Sequence, residues 1–67
     1  MRQDRIILAE RPWSDNPKDD YLSVVLAKIQ NNITPYATWG YNKEDGGYFS
    51  GHYFATLEEA AIDFERR

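Results

Sequence analysis

The sequence predicts an α+β domain: a small three-stranded antiparallel sheet with one C-terminal helix packed on one face. Three observations predict it. Thr56 followed three residues later by Glu59 forms a capping box ahead of an amphipathic segment that runs to the end of the chain. Two aromatic runs flank Lys43-Glu44-Asp45-Gly46-Gly47, a charged and glycine-tipped stretch suited to a hairpin turn. The apolar run from Leu22 to Ile29 supplies a third strand, since a hairpin with one helix is barely enough to stand alone.

The bounds on this domain come from its size. A chain of 67 residues is one domain, 1–67, and buries only about 60% of the surface its unfolded form exposes. It has no cysteine, so neither disulfides nor a thiolate zinc cluster reinforce the core. Packing and capping must do so instead.

Taken in order, residues 1–4 read as a frayed end. Residues 5–9 offer a short fourth strand, and residues 12–20 a polar loop rich in turn formers. The stretch 17–31 has two readings. Asn16 as N-cap, Pro17 at the first helical position, and Leu22, Val25, Leu26 and Ile29 at helical spacing describe an amphipathic helix. As a strand, Leu22, Val24 and Leu26 face one way and Val25, Ala27 and Ile29 the other, before a turn at Asn31-Asn32. The strand is preferred because it completes the sheet.

In the hairpin, strict alternation sets Tyr36, Thr38 and Gly40 against Ala37, Trp39 and Tyr41. On the second strand it groups Tyr48, Ser50, His52 and Phe54 opposite Phe49, Gly51 and Tyr53. In the helix that should start at Leu57, a stripe of Leu57, Ala60, Ala61 and Phe64 faces the sheet, around Trp39, Tyr41 and Tyr53 if it covers their side; the pattern leaves open which sheet face it covers. Acids in its first turn and arginines in its last suit the helix dipole.

The strand containing Trp39, the Gly-His-Tyr-Phe run at 51–54 and the Leu-Glu-Glu-Ala helix closing on Asp63-Phe64 resemble small uncharacterised proteins of bacterial genomes and mobile elements of the phage type. The similarity covers residues 36–67. It implies the hairpin-then-helix order and a mobile-element context, with no known activity attached.

Several chemistries are disfavoured. His52 is the only histidine and shares a face with Ser50 under strict alternation, yet no nucleophile elbow of the G-x-S-x-G kind surrounds the serine. His52 therefore reads as a side chain in a sheet, and no catalytic residue is assigned. One histidine without cysteine makes a poor metal site, and residues 15–20 place a proline and a lysine where a calcium loop needs oxygen ligands. Gly46-Gly47 lacks the lysine of a phosphate loop. No cofactor is expected. The longest apolar run near the start is four residues, Ile6 to Ala9, which is too short for a signal peptide or a membrane span, so a cytoplasmic location is expected.

What remains above background is the aromatic hairpin, with seven rings between Tyr36 and Phe54. One helix covers only one face of a sheet, so either another layer covers the second face or rings are exposed there. Exposed Tyr and Trp suit protein interfaces. A small core recruiting large side chains explains the composition equally well. A net charge of −3 points to a basic protein partner. The partner-binding residues expected are Tyr36, Trp39, Tyr48, Glu44, Asp45 and His52, with Glu58, Glu59 and Asp63 adding to the acidic surface. A sheet-edge homodimer is a second route. The alternative is stacking on single-stranded nucleic acid, which needs a positive group beside the rings. Only Lys43 is basic between Tyr36 and Phe54, so that alternative requires Arg2, Arg5 or Arg11 to fold back beside the sheet.

Overall fold

The computed structural model describes residues 5–67; residues 1–4, including Arg2 and the expected frayed end, lie outside the described residues. Four strands, β1 (Arg5–Pro12), β2 (Leu22–Ile29), β3 (Tyr36–Asn42) and β4 (Gly47–Phe54), form an antiparallel meander in the order β1-β2-β3-β4. The one α-helix among the described residues, α1 (Leu57–Arg66), follows. The architecture is the expected α+β sheet and helix, but with four strands rather than three.

The fourth strand is eight residues long and reaches Pro12, past the short segment 5–9 that the apolar run suggested. Its polar residues do not end it because β1 is an edge strand with partners close by. Glu10 accepts a hydrogen bond from Ser23 Oγ at 2.7 Å, and Arg11 Nε donates to the Phe64 carbonyl at 2.9 Å. Pro12 stands last, where its missing N–H interrupts no ladder.

The ambiguous stretch 17–31 divides between the two readings. Asn16 does cap a helix, accepting from the Lys18 amide, but the helix is one 3₁₀ turn, Pro17–Asp19. The β-branched and apolar residues beyond it pair on both sides as β2, with Val24, Val25, Leu26 and Ala27 buried. A helix would leave half of these exposed; a central strand buries both faces.

The helix lies on the face formed by Val24, Leu26, Thr38 and Gly40. Ala60, fully buried, allows the close approach. The expected stripe contact with Trp39, Tyr41 and Tyr53 is not made: those rings belong to the opposite face, and Leu57 remains 46% exposed. The capping box holds in its main feature, with Thr56 Oγ1 accepting from the Glu59 amide at 3.2 Å. At the other end Arg11 crosses from β1 to satisfy the Phe64 carbonyl, and its guanidinium stands 5.5 Å from the Phe64 ring centre.

A bulge at Ser50 rearranges β4. Thr38 pairs with His52 and Gly40 with Phe49, so Ser50 and Gly51 both stand opposite Trp39. Ser50 adopts φ 54°, the left-handed region. Phe49 thereby joins His52 and Phe54 on the helix side, where its ring fills the space above Gly40 and meets Trp13 at 5.4 Å. Tyr48 and Tyr53 face the other way. Strict alternation across residues 48–54 fails for this reason.

Candidate functional site: an open aromatic face and a polar helix junction

The sheet face away from α1 is covered by its own side chains. Trp39 pairs with Val25 across the strands, Tyr41 with Ser23, and Tyr53 with Ala37, which places large rings beside small neighbours. Val25, Ser23, Ala27 and Ala37 are consequently buried although no second layer among the described residues overlies them. The rings contact one another: Trp39 and Tyr48 at 5.3 Å, Tyr41 and Tyr48 at 4.9 Å, and Trp39 edge-on to Tyr53 at 6.1 Å. Gly51 is what admits Trp39, since a Cβ there would stand 2.6 Å from the indole nitrogen. The outward surface is substantial, with Tyr53 54% and Tyr48 37% exposed.

Arg5 completes this face. From the far edge strand its guanidinium carbon comes to 4.5 Å from the Tyr48 ring centre and 5.5 Å from that of Trp39. The negative faces of the rings attract the cation. Arg11 also folds back, but onto the helix side.

The second cluster lies under the helix. Asp63 Oδ2 accepts from Thr38 Oγ1 at 2.5 Å, from His52 Nδ1 at 3.0 Å and from Arg67 Nε at 3.2 Å. Because a carboxylate only accepts, Nδ1 of His52 is the donor in this contact. Desolvation raises the Asp63 pKa, but the hydrogen bonds from Thr38, His52 and Arg67 and the nearby His52 charge outweigh it, and the net shift is downward. Arg67 also donates to the Ser50 carbonyl, which ties the bulge to the helix end. Thr38 is fully buried, whereas His52 is 53% exposed. No hydroxyl among the described residues hydrogen-bonds to His52 itself.

The residues expected to meet a partner are therefore divided. Trp39 and Tyr48 sit together on the open face. Glu44 and Asp45 occupy the β3–β4 turn beside the Tyr41–Tyr48 pair. His52 is on the helix side, bound to Asp63. Tyr36 lines an open groove of about 780 Å³ at the β2–β3 end, with Ile6, Lys28, Asn31 and Pro35. Tyr41 and Tyr53 were not assigned to the site from the sequence, and Arg5 was named only as one of three arginines that the nucleic-acid alternative would need beside the sheet. The first two belong to it by register alone, whereas Arg5 had no local signal beyond its charge.

Compared with known proteins, the chain matches no family model, no curated protein and no solved structure significantly. No helix among the described residues is long and apolar enough to cross a membrane. Among the described residues no group of three or more His, Asp or Glu side chains is placed to hold a metal ion.

Proposed function

We propose that this protein is a non-catalytic protein-interaction module of bacterial or mobile-element origin, acting in the cytoplasm, which binds and modulates a host protein through its aromatic face and adjoining acidic turn. The observation that carries the reading is the cluster of Trp39, Tyr41, Tyr48 and Tyr53 on a sheet face that no element among the described residues covers. Rigid rings give large contact area with little side-chain entropy to lose, the property that makes them interface anchors. His52 acts within this scheme as a structural group, since its bond to Asp63 joins β4 to α1.

The sheet edges suit the same reading less well. An edge-paired homodimer would have to form along β1 or β4, and both are interrupted by a bulge, at Leu8 and at Ser50. The face is the better surface.

The test is affinity capture with the folded chain and with a Trp39→Ala/Tyr48→Ala variant whose fold is checked by far-UV circular dichroism, each with and without nuclease. A nuclease-resistant protein lost with the variant supports the module. Equal capture by both removes the face from the binding surface.

One observation favours a second reading. Arg5 lies over Trp39 and Tyr48, which puts a positive group beside the stacking rings as a single-stranded nucleic-acid binder requires. Quenching of tryptophan emission by an oligonucleotide, reversed by salt, is its signature.

A further inference from the structure

Resting on the reading of the open face as a protein-binding surface, we infer that its occupant is a cationic, arginine-bearing segment of the partner, and that Arg5 holds the place of the incoming guanidinium. Two independent features lead there. The rings already select a guanidinium: Arg5 belongs to the far edge strand and pairs with Ile29, yet its head lies against Tyr48 and Trp39 on β4 and β3. A surface that draws an arginine across the sheet offers the same attraction to an arginine from outside.

The second feature is the charge at one end of the sheet. The meander places the β1–β2 connection and the β3–β4 turn at the same end, joined by the Lys43 amide donating to the Tyr21 carbonyl. These two segments carry five carboxylates, Asp15, Asp19, Asp20, Glu44 and Asp45, against two lysines, Lys18 and Lys43. They border the Tyr41–Tyr48 pair, next to Asn42–Gly47 in the register. A cationic chain laid on the rings gains from this field, whereas a polyanion laid there is repelled.

Arg5 then acts as an internal competitor. A partner arginine must displace it, so removing Arg5 strengthens binding. A phosphate-binding Arg5 behaves in the opposite way, and its removal weakens binding. The sign of the Arg5 effect thus separates the two occupants.

The experiment uses the full chain with Trp13→Phe, which leaves Trp39 as the sole tryptophan reporter. It is titrated at low salt with an alternating Arg-Gly peptide, its neutral citrulline counterpart, a neutral tyrosine-rich peptide and oligothymidylate. Arg5→Ala and the milder Arg5→Gln are run alongside, with a urea titration confirming that each is folded. The expected result is quenching of Trp39 by the arginine peptide, little by the citrulline peptide, and a gain of about two- to five-fold in affinity in both Arg5 variants. Glu44→Gln/Asp45→Asn should weaken the same binding.

Equal binding of the citrulline peptide, no binding of the arginine peptide, or weaker binding in the Arg5 variants overturns the inference. If the tyrosine-rich peptide binds at Trp39 instead, only the cationic occupant falls and the protein-binding face stands. If oligothymidylate alone binds and loses affinity with Arg5, both readings fall together.

Discussion

Replacing Asp63 by Ala removes one acceptor that serves three donors, and the consequences for those donors differ. His52 is half exposed and regains water, so its loss costs little. Arg67 keeps its bond to the Ser50 carbonyl. Thr38 is fully buried, with its hydroxyl directed at Asp63 Oδ2 from 2.5 Å, and it loses that acceptor when the carboxylate is gone. Stranding a buried hydroxyl costs about 1–3 kcal/mol. The expected loss is therefore about 2 kcal/mol, set against a total of roughly 3–10 kcal/mol for a domain of this length.

In urea, with a slope of about 1 kcal/mol per molar for so small a protein, the midpoint falls by about 2 M. Tryptophan fluorescence follows it. The mechanism makes a sharper demand on the double variant: Thr38→Val deletes the stranded hydroxyl while keeping the side chain's shape. Thr38→Val/Asp63→Ala should thus be more stable than Asp63→Ala alone by about 1 kcal/mol or more, the low end of the cost of a stranded buried hydroxyl. If the double variant is no more stable than Asp63→Ala, the penalty does not come from Thr38 and the reasoning fails.

Other outcomes are expected from the same structure. Because the folded-state pKa of Asp63 is depressed, its stabilisation is fully present above the ordinary value of 3.8 and is lost as pH falls through the lower folded value. Urea midpoints measured from pH 6 downward should hold near pH 5 and fall below about pH 4, with a shallower acid limb in Asp63→Asn. Ser50→Gly relieves the left-handed backbone at φ 54° and should stabilise by about 1 kcal/mol; thermal melts that show no gain would mean the bulge carries no strain. Gly51→Ala drives a methyl group into the Trp39 indole and should cost about 1–3 kcal/mol while shifting tryptophan emission. Unchanged emission would mean that Trp39 does not lie over Gly51.

The helix, the hairpin and the turn were legible because their signals are local. Thr56 and Glu59 meet within one turn of backbone. The turn needs only Gly46, at φ 74°, and the side chains of Asn42 and Asp45, which accept from the Glu44 and Gly47 amides. The Asn16-Pro17 signal was also genuine, but a cap states where a helix begins and not how far it runs. The length of β2 was settled by partners on both sides.

The binding face was only half legible. Trp39 and Tyr48 stand out by composition, yet their grouping with Tyr53 depends on the bulge, which no pattern of residues 48–54 announces. Ser50 takes a conformation rare outside glycine, held there while Arg67, seventeen residues later, binds its carbonyl.

By itself the sequence determined the α+β class, the bounds of α1, the site of the hairpin turn and the presence of more aromatic surface than one helix can cover. Each depends on contacts within a few residues or on composition. Tertiary structure alone decided that β1 is a full strand, that α1 lies on the Thr38 face, and that Arg5 rests on Tyr48. Those outcomes turn on pairings between residues distant in the chain, such as Arg11 with Phe64 and Thr38 with Asp63, whose hydrogen bonds exist only once the sheet has assembled.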